Sequence, residues 1–462
     1  MPELRQENTS YHPALFAITI AVFMCLLDSH IVRICLPVIA RDFDISSGQT
    51  AWINLAYLLV MTPGLPVFGK ISDIVGARKI FILGYLIFIT GSMLCGISPS
   101  FYSLVFARFI QGVGGVMLIA SGPSMISHLI PADKRGYAFG LQATAAGLGI
   151  SLGAPLGGIL TELLSWRYIF YINVPVALAG IVMAIRYIPQ ETYTDCLKNL
   201  LKRLDIAGSL FLYCSLFFIT IGLSLVSKIK TGPFPFLASM ALGTIFLILF
   251  LQREKKSAEP IIDTSILSRP FILIIFSTFI SYILMTGNAF MMPFYLMTSL
   301  NLTPAMSGMM ILFFSLSFSF FSSVAGRLAD KHDPKLLGSM GMLMSAAAVA
   351  FFVFVIAKLS VFLTATFLVL YGSAFAFFVS PTNKLLMNHA PKNKQGVANG
   401  IYRTAVFLAS LVGISVYGSL SDHLEPSGVI PLFSTIYLWS ILLPLGSFAV
   451  VYFSKLSPPS AD

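Results

Sequence analysis

Charge is scarce in this sequence: only 10% of its 462 residues are Asp, Glu, Lys or Arg, while 57% are hydrophobic. Its mean hydropathy of +0.87 exceeds what the core of a soluble chain requires. Cysteine is sparse and odd in number. Cys25, Cys35, Cys95, Cys196 and Cys214 lie mostly inside apolar stretches, which indicates neither a disulfide framework nor a metal site. The histidines are scattered, and there is no His-Glu-x-x-His helix, nucleophile elbow or cysteine-histidine cluster. A Gly-x-x-x-x-Gly-Lys-Ser/Thr loop is missing too, so ATP hydrolysis is not the energy source. Long polar segments are also lacking: the longest, near Pro189 to Arg203 and Gln252 to Arg269, are too short for a soluble domain. An enzyme, a cofactor and a metal centre are not expected.

What is present is apolar sequence from end to end. A hydrocarbon layer of roughly 30 Å takes about 20 apolar residues per helical span. About fourteen such stretches follow one another, from Ala14 to Ile39 and Trp52 to Phe68 through to Val397 to Leu420 and Ile430 to Phe453. The first contains Asp28, His30 and Arg33 and has no small-residue cleavage pattern, so it reads as a retained span and not as a signal peptide.

The net charge of +10 is distributed by loop. Alternate loops carry Lys70, Arg78 and Lys79; Lys134 and Arg135; Lys198, Lys202 and Arg203; Arg253, Lys255 and Lys256; Arg327, Lys331 and Lys335; and Lys392 and Lys394. The other loops hold little beyond Arg41, Lys228, Lys230 and Lys358. Lys and Arg resist translocation, so the rich loops and both termini are expected in the cytoplasm, with the chain multi-pass in the inner (plasma) membrane. The basic excess is then a topology signal, and nucleic acid is not expected as a partner.

Self-similarity sets the organisation. Pro131-Ala-Asp-Lys-Arg-Gly136-Tyr-Ala-Phe-Gly140 returns as Pro391-Lys-Asn-Lys-Gln-Gly396-Val-Ala-Asn-Gly400, and Gly69-Lys-Ile-Ser-Asp73 returns as Gly326-Arg-Leu-Ala-Asp330. Both recur about 260 residues on with the same sidedness, as two parallel halves require. The expected division is an N-terminal six-helix bundle over residues 1–190, a linker with two inserted spans over 191–268, and a C-terminal six-helix bundle over 269–462.

Four segments carry a resemblance. Gly69-Lys70-Ile71-Ser72-Asp73-Ile74-Val75-Gly76-Ala77-Arg78-Lys79, between spans two and three, resembles the signature loop of the major facilitator superfamily. Ile74 and Ala77 stand where that pattern usually has basic residues, which implies a weaker or differently balanced latch. Arg108-Phe-Ile-Gln111-Gly112-Val-Gly114-Gly115 in span four is similar to the Arg-x-x-Gln-Gly pattern that the family's antiporters associate with proton coupling. Gly149-Ile-Ser-Leu-Gly153-Ala154-Pro155-Leu-Gly157-Gly158 in span five looks like their glycine-proline motif, with Ala154 where proline is usual. Leu27-Asp28-Ser29-His30-Ile31-Val32-Arg33-Ile34-Cys35-Leu36-Pro37 resembles the first span of the fourteen-helix drug:proton antiporter branch. That likeness continues through Trp52 to Tyr57, Trp166 to Pro175 and Arg203 to Gly208, and covers nearly the whole chain.

The resemblance implies an all-α membrane protein of the major facilitator fold, two six-helix bundles plus an inserted helix pair. The physics of the motifs agrees with it. Glycines let helices approach closely, and proline removes a backbone hydrogen bond, so Gly153, Pro155, Gly157 and Gly158 are candidate gating positions. Gly69, Asp73, Gly76 and Arg78, with Gly326 and Asp330 in the repeat, are the others; Asp73 can cap a helix or bridge to a cation on the other half. A guanidinium within hydrocarbon costs on the order of 3 kcal/mol on insertion scales, so Arg108 needs a partner or water.

Asp28 is the expected proton carrier, with His30 and Arg108 as the other coupling candidates. The branch usually has a hydroxyl and an amide where this chain has His30 and Arg33. Arg33 is therefore expected to flank Asp28, and His30, which titrates near neutral pH, to rival it. Substrate-binding candidates are Arg33, Asn54, Tyr57, Gln111, Asn288, Tyr295, Lys384 and Arg403. Span nine, the counterpart of span one, adds Met285, Phe290, Met291, Met292 and Phe294 as adaptable apolar surface.

The expected function is proton-coupled secondary transport of a small organic substrate by a monomer in a lipid bilayer, as an antiporter exporting amphipathic or drug-like compounds. Because cations outnumber carboxylates among the candidates, the alternative is an anionic metabolite or a carboxylate siderophore, exported or imported. A membrane-embedded enzyme or sensor is the remote alternative.

Overall fold

The computed structural model describes residues 11–131, 134–190, 205–226, 232–256, 268–391, 395–424 and 428–454. Lys198, Lys202, Arg203, Lys228, Lys230, Lys392, Lys394 and Cys196 lie outside the described residues.

Among the described residues there are 14 helices long and apolar enough to cross a membrane. The first six are α1 (His12–Asp42), α2 (Ser47–Val75), α3 (Ala77–Gly96), α4 (Phe101–Leu129), α5 (Arg135–Leu163) and α6 (Tyr168–Tyr187). Next come α7 (Ile206–Ser224) and α8 (Phe234–Lys256). The last six are α9 (Arg269–Ser299), α10 (Pro304–Lys331), α11 (Pro334–Ile356), α12 (Val361–Asn388), α13 (Gln395–Leu424) and α14 (Ile430–Phe453). Every expected span appears, most of them longer than their apolar stretch. Helix continues past the apolar limit wherever side chains can reach water, as at Arg253, Lys255 and Lys256 in the last turn of α8.

The tight connections have local causes. Ser46 begins α2 with a capping box, its hydroxyl accepting the Gln49 N–H at 3.1 Å. Thr303 caps α10 with a single bond, its hydroxyl accepting the Met306 N–H. One residue joins α2 to α3: Gly76, at φ 109°, a conformation that disfavours any side chain. Among the described residues three helices are interrupted. α6 breaks at Ile172, between Tyr168–Tyr171 and Asn173–Tyr187, α14 breaks at Ile441, before Leu442–Phe453, and Pro293 in α9 precedes a π-helical turn over Tyr295–Ser299.

Packing repeats with the sequence. α1 lies against α5 and α6, α2 against α4, and α3 against α4 and α6. The same neighbours recur eight helices later: α9 against α13 and α14, α10 against α12, α11 against α12 and α14. The result is two bundles of six, and α7 and α8 pack on each other as the extra pair, α7 touching α2 and α13. The bundles meet along two seams, α5 with α10 and α2 with α13.

Both seams are tightest at the end away from the basic loops. A Cβ on Gly158 would run into the Pro304 carbonyl oxygen, and one on Gly308 into that of Ala154. Toward the basic loops the helices stand apart: among the described residues, Gly69, Gly140, Gly326 and Gly400 have no atom of a neighbouring element within 4 Å of such a Cβ.

Candidate functional site

The first site is a buried ionic cluster within the first bundle. Asp28 in α1 and Arg108 in α4 are both 0% exposed, with Arg108 Nη1 2.6 Å from Asp28 Oδ2. Asp28 Oδ1 accepts from Gln111 Nε2 at 2.9 Å and from Asn173 Nδ2 at 2.8 Å. Arg108 also donates to Gln111 Oε1 at 2.5 Å and, through Nε, to the Ile53 carbonyl of α2 at 3.2 Å. Its guanidinium lies over the Tyr57 ring, 4.5 Å from the centroid. Gln111 Nε2 donates once more, to Ser92 Oγ at 2.8 Å. A carboxylate with three donors and a guanidinium with an aromatic floor satisfy the needs of buried charge.

This arrangement corrects several sequence expectations. Arg33 does not flank Asp28; Arg108 is the partner. Since each residue of a helix advances about 100°, positions 30 and 33 share a side of α1 roughly opposite position 28, so His30 and Arg33 face away from the cluster. Gln111 and Tyr57 belong to the cluster and are not among the residues lining the cavity described below. Asn54 is buried in α2, its Nδ2 without a hydrogen-bond partner among the described residues. Asn173 and Ser92 were not foreseen as site residues. The signal for Asn173 was present, an amide at the start of a helix in an otherwise aromatic stretch, Tyr168 to Pro175.

The second site is a cavity between the bundles, lined by residues of α1, α5, α9, α10 and α12. His30 and Arg33 of α1 form one side, with Asn288 of α9 and Ser315 of α10 among its polar residues. Met285 and Met292 line it on the same face of α9 as Asn288, whereas Phe290, Met291, Phe294 and Tyr295 are buried elsewhere. Tyr295 is a core residue, its ring edge-on at 5.2 Å to both Phe352 and Phe433.

The cavity's polar groups are oriented. Asn288 Oδ1 accepts a hydrogen bond from the buried Tyr437 hydroxyl, which leaves its Nδ2 as the free donor. His30 Nδ1 meets the Leu26 carbonyl at 2.9 Å, and since a carbonyl can only accept, Nδ1 carries a hydrogen and Nε2 is left to the cavity. Arg33 is 8% exposed, and its Nε has no hydrogen-bond partner among the described residues.

The remaining candidates lie elsewhere. Lys384 is not a cavity residue: its Nζ sits 2.6 Å from Asp330 and donates to the Ala329 carbonyl at 2.9 Å. Arg403 is exposed and follows Tyr402, whose hydroxyl is 3.2 Å from that of Tyr282. Asp73 accepts from the Ser124 hydroxyl at 2.9 Å within its own bundle, and Arg78 donates to the Ile185 carbonyl at 2.8 Å. The α5 motif has two faces. Gly153 abuts His30, where a Cβ would come within 2.7 Å of the His30 Cβ, and Gly157 abuts Ile34 and Ile31 of α1. Gly158 faces α10 beyond the buried Pro155.

Comparison with known proteins agrees with this architecture. The family model described as Major Facilitator Superfamily matches residues 18–414 and, in a second match, 274–461. A relative from Clostridioides difficile (strain 630), the riboflavin transporter RibZ, is 31% identical over 407 residues, covering 88% of this chain and 87% of its own. The multidrug resistance protein Stp of Mycobacterium tuberculosis is 27% identical over 427 residues, covering 89% and 77%. Among solved structures, that of a D-xylose-proton symporter is similar with a TM-score of 0.69 at 16% identity, over 97% of this chain and 100% of the other.

Proposed function

This chain belongs to the Major Facilitator Superfamily, and we propose that within it the protein is a proton-coupled secondary transporter, an antiporter that exports amphipathic or drug-like compounds. It is a multi-pass membrane transporter and not an enzyme. The observation that carries the coupling is the Asp28–Arg108 pair, enclosed in the first bundle and separate from the cavity that His30 and Arg33 line.

A carboxylate held this way can take one proton and release its guanidinium partner. Arg108 would then exchange partners, and since it also holds α2 through Ile53, the change reaches a helix of the inter-bundle seam. Substrate in the cavity and proton at Asp28 are thus linked through conformation, without contact. Gln111, Asn173 and Tyr57 hold the pair in place. Gly153, Pro155, Gly157 and Gly158, with Gly69, Asp73, Gly76, Arg78, Gly326 and Asp330, serve the rocking of residues 1–190 against 269–462, with 191–268 as the joining segment. By the distribution of basic loops both termini lie in the cytoplasm at the plasma membrane, and the structure is open inward. Two complete bundles give one monomer all it needs.

A second reading concerns substrate charge. Arg33 is a buried guanidinium with an unpartnered Nε on the cavity wall, and Asn288 offers a donor from the other bundle. That favours a compound presenting a carboxylate or several acceptors, such as an anionic metabolite or carboxylate siderophore. The relative named for riboflavin, a molecule rich in acceptors, points the same way.

The test is transport by purified protein in liposomes holding a pH-sensitive dye, with lipophilic cations, carboxylate-bearing anions and riboflavin as substrates. Proton movement on adding a substrate is expected. Substrate flux with no proton movement at any imposed gradient would remove the coupling.

A further inference from the structure

Two carboxylates outside every transport motif stand at the closed end of the molecule, and they are arranged alike. Glu162, next to last in α5, accepts the backbone N–H of Ala305, the second residue of α10, at 2.9 Å. Asp422, in the last turn of α13, accepts the backbone N–H of Gly48, the second residue of α2, through Oδ1 at 2.8 Å. The two bonds cross between the bundles in opposite directions, one on each seam. The first turn of a helix has N–H groups without intrahelical acceptors and the positive end of the helix dipole, so a carboxylate there is held by both.

The surroundings are duplicated as well. One turn before each acid is a glycine that lets the helices touch. A Cβ on Gly158 would collide with the Pro304 carbonyl oxygen, and one on Gly48 with that of Gly418. Gly158-Ile-Leu-Thr-Glu162 and Gly418-Ser-Leu-Ser-Asp422 are separated by the same roughly 260 residues as the duplicated basic loops. On the second seam the Ser47 and Ser421 hydroxyls add a bond at 2.6 Å.

We propose that Glu162 and Asp422 are the paired residues of one symmetric gate, each holding the first turn of a helix in the opposite bundle while the cavity is open toward the basic loops. Hydrogen bonds weaken steeply with distance and misalignment, so a rocking motion that separates α5 from α10 and α13 from α2 breaks both together. The gate is also tied to the ionic cluster. Ile53, whose carbonyl holds Arg108, lies little more than one helical turn from Gly48 on α2. A change at Arg108 therefore acts on the segment that Asp422 holds.

This inference rests on the two-bundle fold and needs neither proton coupling nor a particular substrate. The experiment measures the distance between spin labels on Ile97→Cys and Phe362→Cys, exposed at the closed end on opposite bundles, in full-length protein with its native cysteines replaced and embedded in lipid. Glu162→Ala and Asp422→Ala are each expected to raise the long-distance population about fivefold, and the double variant further. Glu162→Gln and Asp422→Asn, which change charge and hardly alter shape, should shift it the same way by less, and serve where alanine variants fail to fold. A charge-neutral double variant that elutes and melts like the parent and keeps its distance distribution overturns the proposal. A shift from only one of the two acids overturns the symmetric gate.

Discussion

Arg108 and Asp28 face each other at 2.6 Å with no solvent exposure on either side chain, eighty positions apart in sequence and on different helices of one bundle. Burying two charges is unfavourable unless every polar atom finds a partner. Here Gln111 and Asn173 complete the carboxylate, and Tyr57 and the Ile53 carbonyl complete the guanidinium. Such a pair is insensitive to its surroundings until a proton or a helix movement breaks it, which suits a coupling element.

Asp28→Asn removes the charge and the site of protonation while nearly keeping the volume. Uphill, gradient-driven transport is expected to be lost, while exchange of labelled for unlabelled substrate continues, because the cavity is separate. Full active transport in this variant would exclude Asp28 as the proton carrier.

The stability of the same variant should fall by about 3–5 kcal/mol, since Arg108 is left buried without its counter-charge. Adding Arg108→Gln should restore most of that loss, because neutralising both partners removes the stranded charge. Melting temperatures of the two single variants and the double variant in one detergent read this directly. Recovery of stability without recovery of coupled transport separates the two roles of the pair.

The spans, the duplicated halves and the inserted pair were legible in the sequence because hydrocarbon imposes one length and one composition on every helix. Asp28 and Arg108 were legible as well, as costly charges inside apolar stretches. Their pairing was not. Arg33, five residues from Asp28, looked nearer than Arg108, but helical rotation carries it to another face. Lys384 and Asp330 were read separately, as a substrate group and a loop group, although they join each other. Glu162 and Asp422 escaped notice because a carboxylate at a helix end is ordinary until the helix start it holds in the other bundle is seen.

Gly153 is the point of closest approach of α5 to His30, and a Cβ there would come within 2.7 Å of the His30 Cβ. Gly153→Ala is expected to destabilise by about 1–3 kcal/mol through overpacking and to slow transport. Gly69→Ala, also within a helix but with no neighbouring atom among the described residues within 4 Å of a Cβ, should be neutral or stabilising by up to about 1 kcal/mol. Thermal unfolding of the two variants distinguishes the packed α1–α5 contact from an open end. Equal effects would mean that the α1–α5 contact has no special tightness.

Arg33 and Lys384 make opposite predictions about substrate. Lys384 is committed to Asp330 at a partly exposed site, so Lys384→Ala should leave substrate affinity unchanged and cost less than about 1 kcal/mol in stability. Arg33 has an unpartnered Nε on the cavity wall, and a hydrogen bond to a charged group contributes roughly 1.5–3 kcal/mol. Arg33→Asn should therefore weaken a carboxylate-bearing ligand by roughly 10- to 100-fold and leave a lipophilic cation unaffected or bound more tightly. Ligand-induced rises in melting temperature, which follow affinity by mass action, compare both ligands on both variants. If anion and cation lose affinity equally in Arg33→Asn, the guanidinium is shaping the cavity rather than reading charge, and the anionic reading of the substrate fails while the transporter reading stands.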